Sequence, residues 1–213
     1  MILKHLSKKS EIGLNYLLYL PDGYSEHTPG EFPIIFFLHG AGERGNNLEL
    51  LTTQGLPAII ESQSSFPFIV VSPQCPSGTY WSVTILKSFI DEVLHDLKPD
   101  LNRVYITGIS MGGYGTWTLA INYPEIFAAA IPICGGGDPE SAHKIKSLPV
   151  WAFHGAKDNI VPPWETENMV KALQEAGGNV KLTIYPDEAH DSWTKTYANP
   201  EVYEWLLSHE KKN

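Results

Sequence analysis

The sequence predicts an α/β fold, a mostly parallel twisted sheet flanked by helices, and two observations carry that expectation. Apolar strand-like runs alternate with helix-like runs along the chain, the order that parallel sheets require. At one junction stands Gly108-Ile109-Ser110-Met111-Gly112, a G-x-S-x-G turn with an apolar run (103–107) before it and helix-compatible residues (113–122) after it.

The elements follow in order. Residues 14–20 open as an antiparallel edge strand that ends at Pro21. Residues 34–38 form the next strand, followed by a short helix at 56–61 and a buried strand at 68–72. Residues 84–98 make an amphipathic helix, apolar at Ile85, Leu86, Phe89, Ile90, Val93, Leu94 and Leu97, close to a period of 3.6, and Pro99 ends it. The strand at 103, the serine turn and its helix come next, then a strand at 127–134. A strand at 150–153 leads to a helix at about 163–175, closed by Gly177-Gly178. A last strand (180–185) and a helix (200–210) complete the sheet. With no repeat, linker or low-complexity tract, residues 1–213 read as one domain.

A serine between a strand and a helix on a tight glycine-bounded turn is a nucleophile elbow: its hydroxyl stands above the sheet and the next amide lies at a helix N-terminus. A serine hydroxyl is a weak nucleophile at its own pKa, so a base and an orienting acid must come from elsewhere in the chain. With an elbow of this kind the acid and then the histidine follow the serine in sequence. His143, His154, His190 and His209 are the available bases. His190 is preferred, because it follows the strand at 180–185 and the turn residues Pro186-Asp187-Glu188. His154 closes a strand and reads as a hydrogen-bonded core histidine, while His143 and His209 sit in polar segments. Asp158, on the loop after the strand at 150–153, is the expected acid, with Asp138 the runner-up; Asp187 and Asp191 read as turn residues. The amide of Met111 supplies one oxyanion donor, and the loop His39-Gly40-Ala41-Gly42 supplies the other from Ala41, with Gly42 the alternative.

On these residues the chain resembles a single-domain α/β-hydrolase carboxylesterase of the group labelled predicted peptidase or phospholipase/carboxylesterase, similar to the polyhydroxybutyrate-depolymerase and feruloyl-esterase branch. The likeness rests on residues 39–45, Ser72-Pro73-Gln74-Cys75-Pro76, Trp81, residues 108–113, His154-Gly155-Ala156-Lys157-Asp158 and His190-Asp191-Ser192-Trp193. It implies an α/β-hydrolase fold, Ser110, Asp158 and His190 as triad, and Ala41 and Met111 as oxyanion donors. No long insertion follows the strand at 127–134, where hydrolase lids sit, so no lid domain is expected. A lidless cleft should be shallow, and since each buried methylene contributes only about 0.8 kcal/mol, short acyl groups should be preferred. Trp81, Trp193 and Trp164 are expected on the rim, with Trp81, Trp193 and Gly42 as substrate-binding residues, and Glu43-Arg44 as an ion pair bracing the oxyanion loop.

Composition sets the remaining bounds. The formal charge of −9, from 15 basic and 24 acidic residues, disfavours nucleic acid and anionic membranes as partners. A small-molecule ester is the expected ligand, with no cofactor. Residues 1–9 lack the apolar core of a secretory leader, so a cytoplasmic enzyme is expected. Cys75 and Cys134 each end an apolar run and read as buried thiols, and the scattered histidines give no metal-binding spacing. A carbohydrate-linked (acetyl or feruloyl) esterase, a serine peptidase, an acyltransferase or perhydrolase with the same triad, and a non-catalytic ligand-binding relative are the competing readings. Oligomeric state is not legible.

Overall fold

The computed structural model describes residues 5–25, 27 and 29–211. Eight strands form one sheet: β1 (His5–Lys9), β2 (Asn15–Tyr19), β3 (Ile34–Leu38), β4 (Ile69–Pro73), β5 (Val104–Ile109), β6 (Ala129–Ile133), β7 (Val150–Gly155) and β8 (Val180–Tyr185). Their spatial order is β1-β2-β4-β3-β5-β6-β7-β8. The β1–β2 and β2–β4 pairings are antiparallel, and every pairing from β4 to β8 is parallel.

Both faces of the sheet are buried, so the central strands are apolar throughout rather than alternating. In β3, Ile34, Phe36 and Leu38 enter the core on one face, and Ile35 and Phe37 the core on the other. The first face is covered by α2 (Val83–Leu97), α3 (Met111–Asn122) and α4 (Trp164–Glu175), through Leu86, Phe89, Trp117 and Met169. The second is covered by α1 (Gly55–Ser62), α5 (Trp193–Ala198) and α6 (Pro200–Leu207), through Leu56, Ile60, Trp193, Tyr197 and Leu206.

Three features depart from the sequence reading. The strand at 14–20 is antiparallel but not at the edge, because β1 pairs outside it. β1 carries Leu6-Ser7-Lys8-Lys9 with only His5 buried, a pattern that suits a charged, solvent-facing edge strand and gives no hydrophobic periodicity to read. The sequence predicts no element between the strand at 180–185 and the helix at 200–210, where the six-residue α5 lies, too short for its spacing to register. Residues 1–4 of the segment used to judge a leader lie outside the described residues, and residues 5–9 are β1.

Between β6 and β7 the chain makes only the 3₁₀ turn Pro139–Ile145. Among the described residues no helix is long and apolar enough to cross a membrane.

Candidate active site

The loops at the C-terminal ends of the parallel strands meet over β5, where open α/β sheets place their ligand sites. β5 enters α3 through Ser110, held at φ 53° and ψ −116°. A non-glycine residue at positive φ costs on the order of 1–3 kcal/mol and persists only where its surroundings over-determine it. Here the surroundings are two glycines. A Cβ on Gly112 would lie 1.9 Å from the Leu38 carbonyl oxygen, and one on Gly108 would lie 2.4 Å from the Gly112 oxygen. With no side chain at either position, α3 packs directly on the end of β3 and the Ser110 hydroxyl is turned out of the sheet.

That hydroxyl donates to His190 Nε2 at 2.9 Å, and His190 Nδ1 donates to Asp158 Oδ2 at 2.7 Å. His190 is carried by the loop after β8 and Asp158 by the loop after β7. The other Asp158 oxygen accepts the amides of Ile160 and Val161, each at 2.9 Å. Burial alone would raise the Asp158 carboxyl. Hydrogen bonds from His190 and from the Val161 and Ile160 amides, with the charge of His190, outweigh it and hold the carboxyl below its ordinary range. A carboxylate depressed in the folded state stabilises the fold at pH values above its unfolded pKa of about 3.9 and loses that contribution as pH falls through the folded value. Asp158→Asn should therefore flatten the decline in urea midpoint below about pH 5.

Met111 is the first residue of α3, where a helix has no acceptor of its own for the amide. Ala41 opens the 3₁₀ turn Ala41–Glu43 after β3, and the preceding Gly40 packs against the elbow, with its Cβ direction 3.6 Å from Ser110 Cβ. Arg44 and Glu43 do not pair. The Glu43 carboxylate turns inward, is buried and accepts from Gln54 Nε2, while Arg44 points out and donates to the carbonyls of Ala41 (2.9 Å) and Thr79 (3.1 Å). The expected ion pair fails because neighbouring residues of a tight turn project in different directions. Each still braces the loop separately.

His39 is neutral by its partners. Its Nδ1 meets the Gly40 carbonyl (2.6 Å) and must donate, whereas its Nε2 accepts the Cys75 amide (2.9 Å). Burial pulls its pKa down to about 4.

The tryptophans divide. Trp81 lies against the His39 ring, donates its indole N–H to the His39 carbonyl at 3.1 Å and lines the cleft. Trp193 does not rim the site. It is 7 % exposed, belongs to the core below, and meets His190 edge-on at 5.2 Å, so it backs the imidazole instead of facing a ligand. Trp164 stands at the start of α4, 53 % exposed. Gly42 is exposed, with nothing within 4 Å of its Cβ direction. Asp138 and Asp191 cap turns, accepting from the amides of Glu140 and Thr194, and Asp187 pairs with Lys157 on the surface.

An apolar cavity of about 440 Å³ opens beside Met111, lined by Tyr80, Trp81, Met111, Tyr114, Gly115 and Thr118. The cleft is therefore not uniformly shallow. Met111, Tyr114, Gly115 and Thr118 are spaced i, i+3, i+4 and i+7, one face of α3, so once the helix starts at the elbow the wall can be read from the sequence. Cys134 Sγ, an Asp158 oxygen and a His190 nitrogen come within 4.8 Å of one another. Burial pushes the Cys134 thiol up to about 12, so it bears its proton and packs beneath the site.

Comparison with known proteins agrees with this architecture. A thermostable esterase of known structure is 34 % identical, superposes with a TM-score of 0.80, and is matched over 97 % of this chain and 63 % of its own. The feruloyl esterase module of Clostridium thermocellum, 18 % identical, shares the fold with a TM-score of 0.71 over 96 % of this chain and 86 % of its own. Poly(3-hydroxyalkanoate) depolymerase C of Paucimonas lemoignei is 29 % identical over 140 residues, 58 % of this chain and 31 % of that protein. The chain spans about a third of the length of the curated relatives it matches first. Residues 81–204, from Trp81 through Ser110, Asp158 and His190 to α6, match the dienelactone hydrolase family. The chain belongs to the dienelactone hydrolase family, with an α/β-hydrolase fold.

Proposed function

We propose that this chain is a serine carboxylesterase, a single catalytic domain that hydrolyses short-chain carboxylic esters through an acyl-enzyme on Ser110. The observation that carries the reading is the hydrogen-bonded line from the strained Ser110 through His190 to Asp158. His190 takes the hydroxyl proton as Ser110 Oγ attacks the ester carbonyl carbon. The amides of Met111 and Ala41 receive the oxyanion. When the tetrahedral intermediate collapses, the C–O bond to the alcohol breaks and His190 returns the proton to the departing oxygen. Water then attacks the acyl-enzyme by the same route, releasing the acid and restoring Ser110. Asp158 keeps the imidazole oriented throughout. A small-molecule ester is the ligand of this reading. The two free buried thiols suit a reducing compartment.

The departing alcohol has to lie against His190, on the β8 side of the elbow. The acyl group then extends the other way, toward the cavity walled by Tyr80 and Trp81 on the loop after β4. That cavity follows two turns of α3, about 10 Å at 1.5 Å per residue. It accommodates a short acyl chain or one ring, and most of a palmitoyl tail would lie in solvent. Hydrolysis of p-nitrophenyl esters from acetyl to palmitoyl tests the reading. kcat/KM should be highest among the short chains; a maximum at palmitoyl contradicts the cavity argument, and no turnover of any ester contradicts the function. Thr118→Trp, which fills the cavity, should cut kcat/KM for the hexanoyl ester tenfold or more while sparing the acetyl ester. Equal losses on both would place the acyl group elsewhere.

The aromatic walls Tyr80, Trp81 and Tyr114 also favour a second reading, an esterase for aromatic or acetyl groups carried on carbohydrate. An acetylxylan esterase A of Emericella nidulans, 33 % identical over 86 residues, matches a third of this chain. Turnover of methyl ferulate faster than of p-nitrophenyl acetate would select that reading, and a peptide anilide assay separates either from a peptidase.

A further inference from the structure

Asp158 is held by two histidines. Besides His190, the fully buried His154 at the end of β7 places Nε2 3.1 Å from the same Asp158 oxygen. The same Nε2 lies 2.8 Å from the Val161 carbonyl, and Nδ1 lies 2.7 Å from Thr166 Oγ1 on α4. Thr166 Oγ1 in turn lies 2.7 Å from the Gly135 carbonyl.

The protons of this chain can be counted. Carbonyl oxygens carry none, so the single Thr166 hydroxyl proton goes to Gly135. Thr166 is then an acceptor toward His154, and Nδ1 must carry a proton. The Val161 carbonyl likewise obliges Nε2 to carry one. Flipping the ring would set carbon atoms at 2.7 and 2.8 Å from oxygens, too close for a C–H contact. The same count at His39 gives a neutral ring, because there one nitrogen faces an amide N–H.

We infer that His154 is an imidazolium paired with Asp158, a positioning residue that acts through that carboxylate to make His190 a weaker base and a readier proton donor to the departing alcohol. The kinetic part rests on the esterase reading; the proton count does not. Burial of this charge is sustained because the carboxylate is its counter-ion and both ring N–H groups have acceptors. In the resting site Asp158 and His154 cancel, so the positive charge that appears on His190 is less well compensated than it would be beside a lone carboxylate. The other ionisable groups around the pair are Cys134 after β6, Tyr114 on α3, Glu165 on α4 and Asp191 beside His190. Burial pushes Cys134 and Tyr114 each up to about 12, so both are neutral at working pH.

Two measurements test the inference. In the wild-type chain with 15N-labelled histidine, both His154 ring nitrogens should show protonated shifts at pH 7.5; one unprotonated nitrogen overturns it, whatever the enzyme turns over. In His154→Gln, which keeps an N–H donor without the charge, the acid limb of the kcat/KM profile should move to higher pH by about one unit. Loss of amplitude with the limb unmoved means that His154 only fills space, and overturns it as well. If the variant does not fold, the NMR result on the wild type decides. A wild-type chain without ester turnover would sink the esterase reading but leave the proton count to the NMR result.

Discussion

Ser110→Ala should lower ester turnover by roughly 10⁴- to 10⁶-fold and leave a folded protein. The expected loss is large because the proposed serine, histidine and aspartate act as one unit: without the Ser110 oxygen there is nothing for His190 to deprotonate and no acyl-enzyme to form. Stability should change little, since the variant gives up one partly exposed hydrogen bond and keeps the positive φ. Ser110→Gly removes that strain and should raise stability by about 1 kcal/mol while activity is lost all the same. Thermal unfolding and p-nitrophenyl acetate hydrolysis of the two variants separate strain from chemistry. Residual turnover within a hundredfold of wild type in Ser110→Ala would remove Ser110 from the mechanism.

Gly112→Ala should destabilise the chain by about 3 kcal/mol or more, enough to abolish soluble expression in a marginal domain. The added methyl would sit 1.9 Å from the Leu38 carbonyl, 2.5 Å from the Leu38 carbonyl carbon and 2.8 Å from the His39 oxygen. These are backbone atoms of β3 and of the loop that follows it, so no side-chain rotation relieves the contact. α3 would have to lift away from β3 and carry the Met111 amide with it. Gly42→Ala on the same loop is the control. Nothing lies within 4 Å of its Cβ direction, and its backbone is not in the positive-φ region, so its urea midpoint should stay close to wild type. Comparable destabilisation by both would mean that loop flexibility, not the β3 contact, sets the cost.

The sheet was largely legible because its signals are strong and local. Central strands buried on both faces appear as unbroken apolar runs, and α2 shows a clean helical period from Ile85 to Leu97. β1 and α5 were not legible. The first is exposed on all but His5, and the second is six residues long, so neither leaves a hydrophobic pattern.

The site divides along a similar line. The structure brings Ser110, Asp158 and His190 together, residues that motif and chain order single out. Trp81 lines the cleft, but Trp193 is turned under His190, because which way a loop tryptophan points depends on packing that spacing does not encode. The same holds for Glu43 and Arg44, adjacent in sequence and opposite in direction. His154 read as a core histidine and is one, but its grip on Asp158 depends on the turn between them closing back to bring residues 154 and 158 together.

The most direct test of the central claim is titration with a p-nitrophenyl alkylphosphonate, followed by intact mass and peptide mapping. Ester hydrolysis should vanish with one equivalent of p-nitrophenol released and one phosphonyl group, found on Ser110. Undiminished hydrolysis after labelling, or the adduct on any other residue, would contradict it.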